Sequence, residues 1–172
     1  MQLQEYKPHV PQGSDLAKGA LAGAVAGLAA GFVMERAMKW MQRRQRHEGA
    51  HTEKTTPQGE DPKVAIVEKA GVEVPEERAK LVAGLVHYGM SGVSGAIYGA
   101  AAEVTPLATI LWGVPFGLAV WAAAPATTLP ALGLAPPPSE VPAKAHATSL
   151  AMHALFGAAT ETVRRPLRAA MG

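Results

Sequence analysis

Apolar residues fall into four runs separated by polar stretches. The first extends from about Asp15 to Met34 or Met38, and the second starts near Pro75 and continues through LVAGLVHYGMSGVSGAIYGAAAE. The third is LATILWGVPFGLAVWAAA at 107–124, and the fourth covers about His146 to Val163. Eighteen residues of helix measure roughly 27 Å at 1.5 Å per residue, close to the thickness of a bilayer's hydrocarbon core. The pattern therefore predicts an all-α integral membrane helix bundle of four spans, or three spans plus a re-entrant third run.

Inside the first run, Gly19, Gly23, Gly27 and Gly31 recur every four residues. One helical turn is about 3.6 residues, so these glycines line one face and leave it without side chains. Such faces let a second backbone approach closely, as small-xxx-small interfaces do in membranes. In water each glycine would cost about 1 kcal/mol relative to alanine. In lipid the backbone has no partner outside the helix, so helix is enforced. Ser91, Gly95 and Gly99 give the second run a matching face. These seven helix-packing residues are expected to meet within one chain, with self-association as the second possibility.

The polar stretches divide the rest. Residues 1–14 form a polar N-terminal segment without a basic n-region, so a cleavable signal peptide is not expected. Residues 15–42 make the first span and a basic flank. Glu35, Arg36, Lys39, Trp40, Arg43, Arg44 and Arg46 mark its interface, and Trp40 suits an aromatic belt. Residues 43–75 read as a polar loop with a short helix at 61–71, started by Asp61 and Pro62 and stopped by Gly71. Residues 76–172 hold the other three runs. Glu76 and Glu77 suit the positive end of the second span. Pro115, between Gly113 and Gly117, is expected to kink or break the third run, and residues 125–142 form a stiff proline-rich loop.

Ten Lys/Arg fall between residues 36 and 80, which places that segment on the cytoplasmic side. Four full spans leave 11 basic residues inside and 5 outside, whereas a re-entrant third run changes this to 13 and 3. Charge thus favours the re-entrant arrangement and run length favours the crossing.

Composition adds a few exclusions. Charged residues are 17% of the chain, and Gly (18) and Pro (14) are abundant, as in membrane helices. There is no cysteine, so disulfides and thiolate chemistry are excluded. No basic patch interleaved with aromatics points to nucleic acid. No hydrolase elbow, P-loop, zinc-protease helix or dinucleotide fingerprint is present, so an enzyme is not expected. His9, His47 and His51 are spaced unlike a metal site.

His87 and His153 stand within apolar runs, where an ionisable residue is a functional hypothesis by default. In a four-span bundle both lie roughly 9–11 Å deep from the same side. They could hydrogen-bond a neighbouring helix, relay protons, or clamp a haem iron. Glu103 has no cation nearby in sequence, so any partner comes from another helix. Glu161 has Arg164 and Arg165 at i+3 and i+4 and reads as an interfacial surface pair. His87, His153 and Glu103 are therefore the candidate relay or ligand residues; no metal site is expected, and haem is the only cofactor considered.

From residue 81 to about 168 the chain resembles the YagU-like family of bacterial inner-membrane proteins. The resemblance rests on His87, Ala102-Glu103-Val104 with Pro106, Trp112-Gly113 with Gly117, and Pro130-Ala-Leu-Gly-Leu with Pro136-Pro137. It continues through Glu140, His153, Glu161 and Arg164-Arg165-Pro-Leu-Arg168. It implies a multi-pass protein of the bacterial inner membrane and transfers no catalytic residue. The expectation is a structural or accessory membrane protein that packs with itself or with a larger complex. The alternatives are a small proton-linked channel or transporter and a b-haem-binding subunit.

Overall fold

The computed structural model describes residues 11–47 and 62–172, and all the regular structure among them is helical. Helix α1 spans Gly13–His47, α2 Pro62–Lys69 and α3 Glu76–Val104. A 3-10 segment, Pro106–Gly113, leads into α4, Val114–Ala123. A π-helical turn, Ala124–Thr128, continues into the short α5, Leu129–Ala131. After a 3-10 turn at Pro138–Glu140, α6 covers Ala143–Ala170.

The contacts fix the register. Gly31 of α1 lies beside Ser91 and His87, and Gly19 beside Gly99 and Glu103, so α1 and α3 run antiparallel. Tyr98 bonds Glu161, and Glu103 bonds Arg168, so α3 and α6 run parallel. Gly113 and Gly117 pack on Gly157 and His153, which makes α4 antiparallel to α6. Helix α1 also touches α6, through Asp15 and Arg168.

The interior combines small residues and paired polar groups with a few larger side chains, Val64, Tyr98 and Phe156. Ala22, Ala26 and Ala30 are fully buried at four-residue spacing, and so are Thr160 and Glu161. Outside, Leu21, Val25, Leu28 and Phe32 line α1, and Leu85, Val93 and Ile97 project from α3, all exposed. Leu107 and Leu111 in the third run are 71% and 74% exposed. A continuous apolar exterior is an aggregation hazard in water and the ordinary surface of a protein in lipid.

Two helical stretches are long and apolar enough to cross a membrane: Gly13–Arg44 and Pro106–Ala131, with mean hydropathy 1.6 and 1.7. In the second, only 11% of the apolar window is buried in the fold, the reverse of a soluble core helix. The runs in α3 and α6 are diluted by glycine, serine and histidine and fall short of that measure.

Several boundaries differ from the sequence reading. Helix α1 continues through residues 43–47, which the pattern assigned to the polar loop. The short helix begins at Pro62 and ends at Lys69, followed by a turn with Gly71 at φ +88°; Asp61, its expected cap, lies outside the described residues. The proline-rich loop starts later than residue 125, because the helix continues through Pro125 and Pro130. The wider π turn accommodates the donor that proline lacks. Thr127 and Thr128 hydroxyls donate to the carbonyls of Ala122 and Ala123, 2.7 Å each, where the ladder is disturbed.

Candidate functional site

The contact between α1 and α3 is made by backbone. A Cβ on Gly23 would lie 2.1 Å from the Gly95 carbonyl oxygen, and one on Gly27 2.2 Å from that of Ser91. A Cβ on Gly99 would lie 2.0 Å from the Gly19 oxygen. No side chain fits at such distances, so glycine at these positions sets how closely the helices approach. Gly31 differs: its nearest neighbour is the Ser91 hydroxyl, a side-chain atom, at 2.7 Å. That hydroxyl donates to the His87 carbonyl one turn back, at 2.8 Å.

Both histidine candidates bond backbone. His87 Nε2 is 3.2 Å from the Gly31 carbonyl and ties α3 to α1. His153 Nδ1 is 2.8 Å from the Ser149 carbonyl of its own helix. A carbonyl oxygen only accepts, so each of these ring nitrogens carries a proton. Glu103 is far from His87. They are 16 residues apart on one helix, about 24 Å at 1.5 Å per residue, with the glycine contact between them. The structure therefore keeps Glu103 apart from His87, while His87 on α3 and His153 on α6 lie within electrostatic reach of each other. Among the described residues no group of three or more His, Asp or Glu side chains is placed to hold a metal ion.

Glu103 belongs instead to an ion-pair cluster at the far end of the bundle. Its Oε1 accepts from Arg168 Nε at 2.9 Å, and Arg164 Nη1 is 3.8 Å away. Arg168 Nη2 reaches on to Asp15 Oδ1, 3.3 Å, so one guanidinium joins α1, α3 and α6. Glu161 accepts from Arg164 Nε at 2.7 Å and Nη2 at 3.0 Å, a two-pronged pair. Tyr98 donates its hydroxyl to the same carboxylate at 2.9 Å, and Arg165 Nε is 3.3 Å away. Three carboxylates thus face three guanidiniums, and every deeply buried side-chain nitrogen or oxygen among the described residues has a partner.

This corrects the reading of Glu161 as part of an exposed interfacial pair. The i+3 and i+4 spacing to Arg164 and Arg165 does pair them, but Glu161 and Arg164 are buried. The third run covers them, because Gly113 and Gly157 allow two backbones to meet there: a Cβ on Gly113 would sit 2.6 Å from the Gly157 oxygen. Tyr98, Asp15 and Arg168 are site residues that the sequence pattern does not single out. The one sequence signal is the repeated pattern Tyr98-Gly-Ala-Ala-Ala-Glu103 and Phe156-Gly-Ala-Ala-Thr-Glu161, in which an acid closes each span.

The third run breaks on top of this cluster. Ile110 is extended, and Leu111 (φ 50°, ψ 36°) and Trp112 (φ 57°, ψ 38°) are left-handed, followed by Gly113 at φ +77°. Each non-glycine left-handed residue costs roughly 1–2 kcal/mol. Tertiary contacts hold it: Trp112 Nε1 donates to Thr162 Oγ1 at 2.9 Å, and the Arg165 guanidinium lies 4.4 Å over the indole. The break therefore precedes Pro115, which sits harmlessly in the first turn of α4. Gly117 serves a second close approach, to the His153 carbonyl.

At the opposite end, a groove of about 240 Å³ is lined by Trp121, Pro125, Pro136, Pro138, His146 and Ser149. Its polar groups are engaged internally: Trp121 Nε1 donates to Ser149 Oγ at 3.1 Å, and His146 Nε2 is 2.8 Å from the Pro138 carbonyl.

The profile of a protein family described as "Protein of unknown function (DUF1440)" matches residues 50–162, which carry α2 to α5 and most of α6. The chain belongs to the DUF1440 family. In this DUF1440 protein the match takes in His87, Tyr98, Glu103, His153 and Glu161, while α1 with Asp15 and the four glycines, and Arg164, Arg165 and Arg168, lie outside it. No curated protein and no solved structure matches the chain.

Proposed function

We propose that this is a multi-pass protein of the bacterial inner membrane, related to the YagU-like proteins, with a structural or accessory role. In this reading it packs with itself or within a larger membrane complex and carries out no chemistry of its own. The observation that carries the reading is the inverted polarity of the bundle, with leucine, valine and isoleucine outside and a neutralised ionic cluster within. The glycine contact supports it further, because helices that meet backbone to backbone leave no room for a path along that seam.

The proton-linked reading has less support. Glu103 lies about 24 Å along α3 from His87, His153 stands on α6, and both histidines bond backbone carbonyls. A b-haem reading meets the same difficulty, since His87 uses Nε2 on Gly31.

Reconstitution separates these readings. Vesicles containing the purified protein and a trapped pH dye should acidify no faster than empty vesicles after an external acid step. Native mass spectrometry of the detergent-extracted protein should show a defined self-assembly or a stoichiometric complex. Proton flux that His87→Ala or His153→Ala abolishes would overturn the accessory role, and a Soret band in the purified protein would establish the haem reading instead.

A further inference from the structure

Helix α1 is longer than a bilayer core requires. Its 35 residues measure about 52 Å, whereas hydrocarbon occupies roughly 30 Å. If the apolar part begins at Asp15, about 20 residues use that thickness and the helix leaves the hydrocarbon near Met34. Past that point the helix carries a short basic and aromatic collar. Arg36, Lys39, Trp40, Arg43 and Arg44 are all exposed. Two of the guanidiniums lie over aromatic rings: Arg36 is 4.8 Å from the Phe32 ring and Arg44 is 4.1 Å from the Trp40 ring. The nearby carboxylate, Glu35, is already taken, by Lys39 at i+4 and by the Tyr88 hydroxyl at 2.5 Å. Among the described residues no carboxylate pairs with Arg36, Arg43 or Arg44, and the collar stands next to the exposed apolar side chains Phe32, Val33 and Met38.

We infer that this collar binds the headgroups of anionic phospholipids. The inference rests on the membrane reading given above. Charge complementarity and depth carry it. The guanidiniums begin where the headgroup layer begins, and Arg44, eight residues past Arg36, is only about 12 Å further along the axis. Guanidiniums match phosphate in geometry, and the rings beneath Arg36 and Arg44 hold two of them in place while resting on the acyl boundary. A neutral, zwitterionic headgroup would lack the net charge to answer three cations.

The test uses the full chain in detergent micelles doped with equal amounts of phosphatidylglycerol and phosphatidylcholine. Native mass spectrometry counts the lipids retained. Phosphatidylglycerol should be retained preferentially, and the preference should fall as salt is raised. Each basic side chain near an anionic surface contributes roughly a fivefold factor, so R43Q/R44Q should reduce the preference by roughly twenty-fivefold. The control K18Q removes a charge at the other end of the bundle and should leave the preference within about twofold. Millimolar inorganic phosphate should not compete, because the acyl boundary is part of the site. Equal retention of the two lipids by the unaltered protein would overturn the inference, and so would equal loss in R43Q/R44Q and in the control, or displacement by free phosphate. If R43Q/R44Q fails to fold, the salt series on the unaltered protein still decides. A protein that remains membrane-embedded but shows no lipid preference would sink the collar alone and leave the accessory reading standing.

Discussion

Glu161 is the residue on which most of the cluster converges. It is fully buried, and Tyr98, Arg164 and Arg165 all address one carboxylate. Removing one partner of a buried pair leaves the other charge uncompensated, which costs about 3–5 kcal/mol, whereas replacing both by apolar groups is often nearly neutral. Glu161→Leu should therefore destabilise the protein by about 3 kcal/mol, and E161L/R164M should recover at least half of that in thermal unfolding followed by circular dichroism in detergent. A double variant as damaged as the sum of its singles would show that the pair is not the unit. Leu111 offers the opposite test. It is left-handed and largely exposed, so Leu111→Gly should stabilise by about 1 kcal/mol, unlike glycine elsewhere in this chain. A lowered melting temperature would mean that the strain at this turn is relieved in some way the backbone angles do not reveal.

At the scale of elements, the glycine contact makes a graded prediction. Alanine at Gly23 puts its Cβ against a backbone oxygen that cannot move without the helix, while at Gly31 the obstacle is a serine side chain. Gly23→Ala should therefore cost about 1–3 kcal/mol as an overpacking change, and Gly31→Ala markedly less, measured by the same unfolding. Equal costs would remove the backbone as the cause. The helices themselves were legible from apolar runs, and the four-residue glycine spacing marked a face without side chains. Which helix covers that face is a tertiary matter, and the fold places Ser91, Gly95 and Gly99 there. The break in the third run was less legible. Pro115 drew attention to the wrong residue, because a left-handed Leu111-Trp112 pair has no local signal and exists only through Thr162, Arg165 and Gly157. The burial of Glu161 was hidden for a related reason: i+3 and i+4 spacing identifies a pair without saying which side of the helix is covered. Glu103 needed a cation from another helix, and Arg168, 65 positions later, could not be singled out by spacing.

The whole molecule turns the usual partition inside out. Its interior is alanine, glycine and paired charge around Val64, Tyr98 and Phe156, and leucine, valine and isoleucine are prominent on its surface. In cells, an alkaline carbonate wash should therefore leave the chain in the membrane pellet, and only detergent should release it. Release by carbonate alone would reduce α1 and the 106–131 stretch to surface association. Helix-opposed packing through glycine also makes the bundle depend on shape more than on any one large side chain.

Helix α6 comes after every other described helix in the chain, and this has a consequence for biogenesis. Until it is synthesised, Glu103 has no Arg168, Trp112 has no Thr162, and the left-handed turn has no Gly157 to rest against. Under the proposed membrane role, the earlier helices would enter the bilayer as an unfinished assembly, with a bare carboxylate at one end and a helix broken without support. The last segment acts as a keystone, so a nascent chain halted near Pro142 should be cleared by membrane proteases within minutes, while the full chain persists in a pulse-chase.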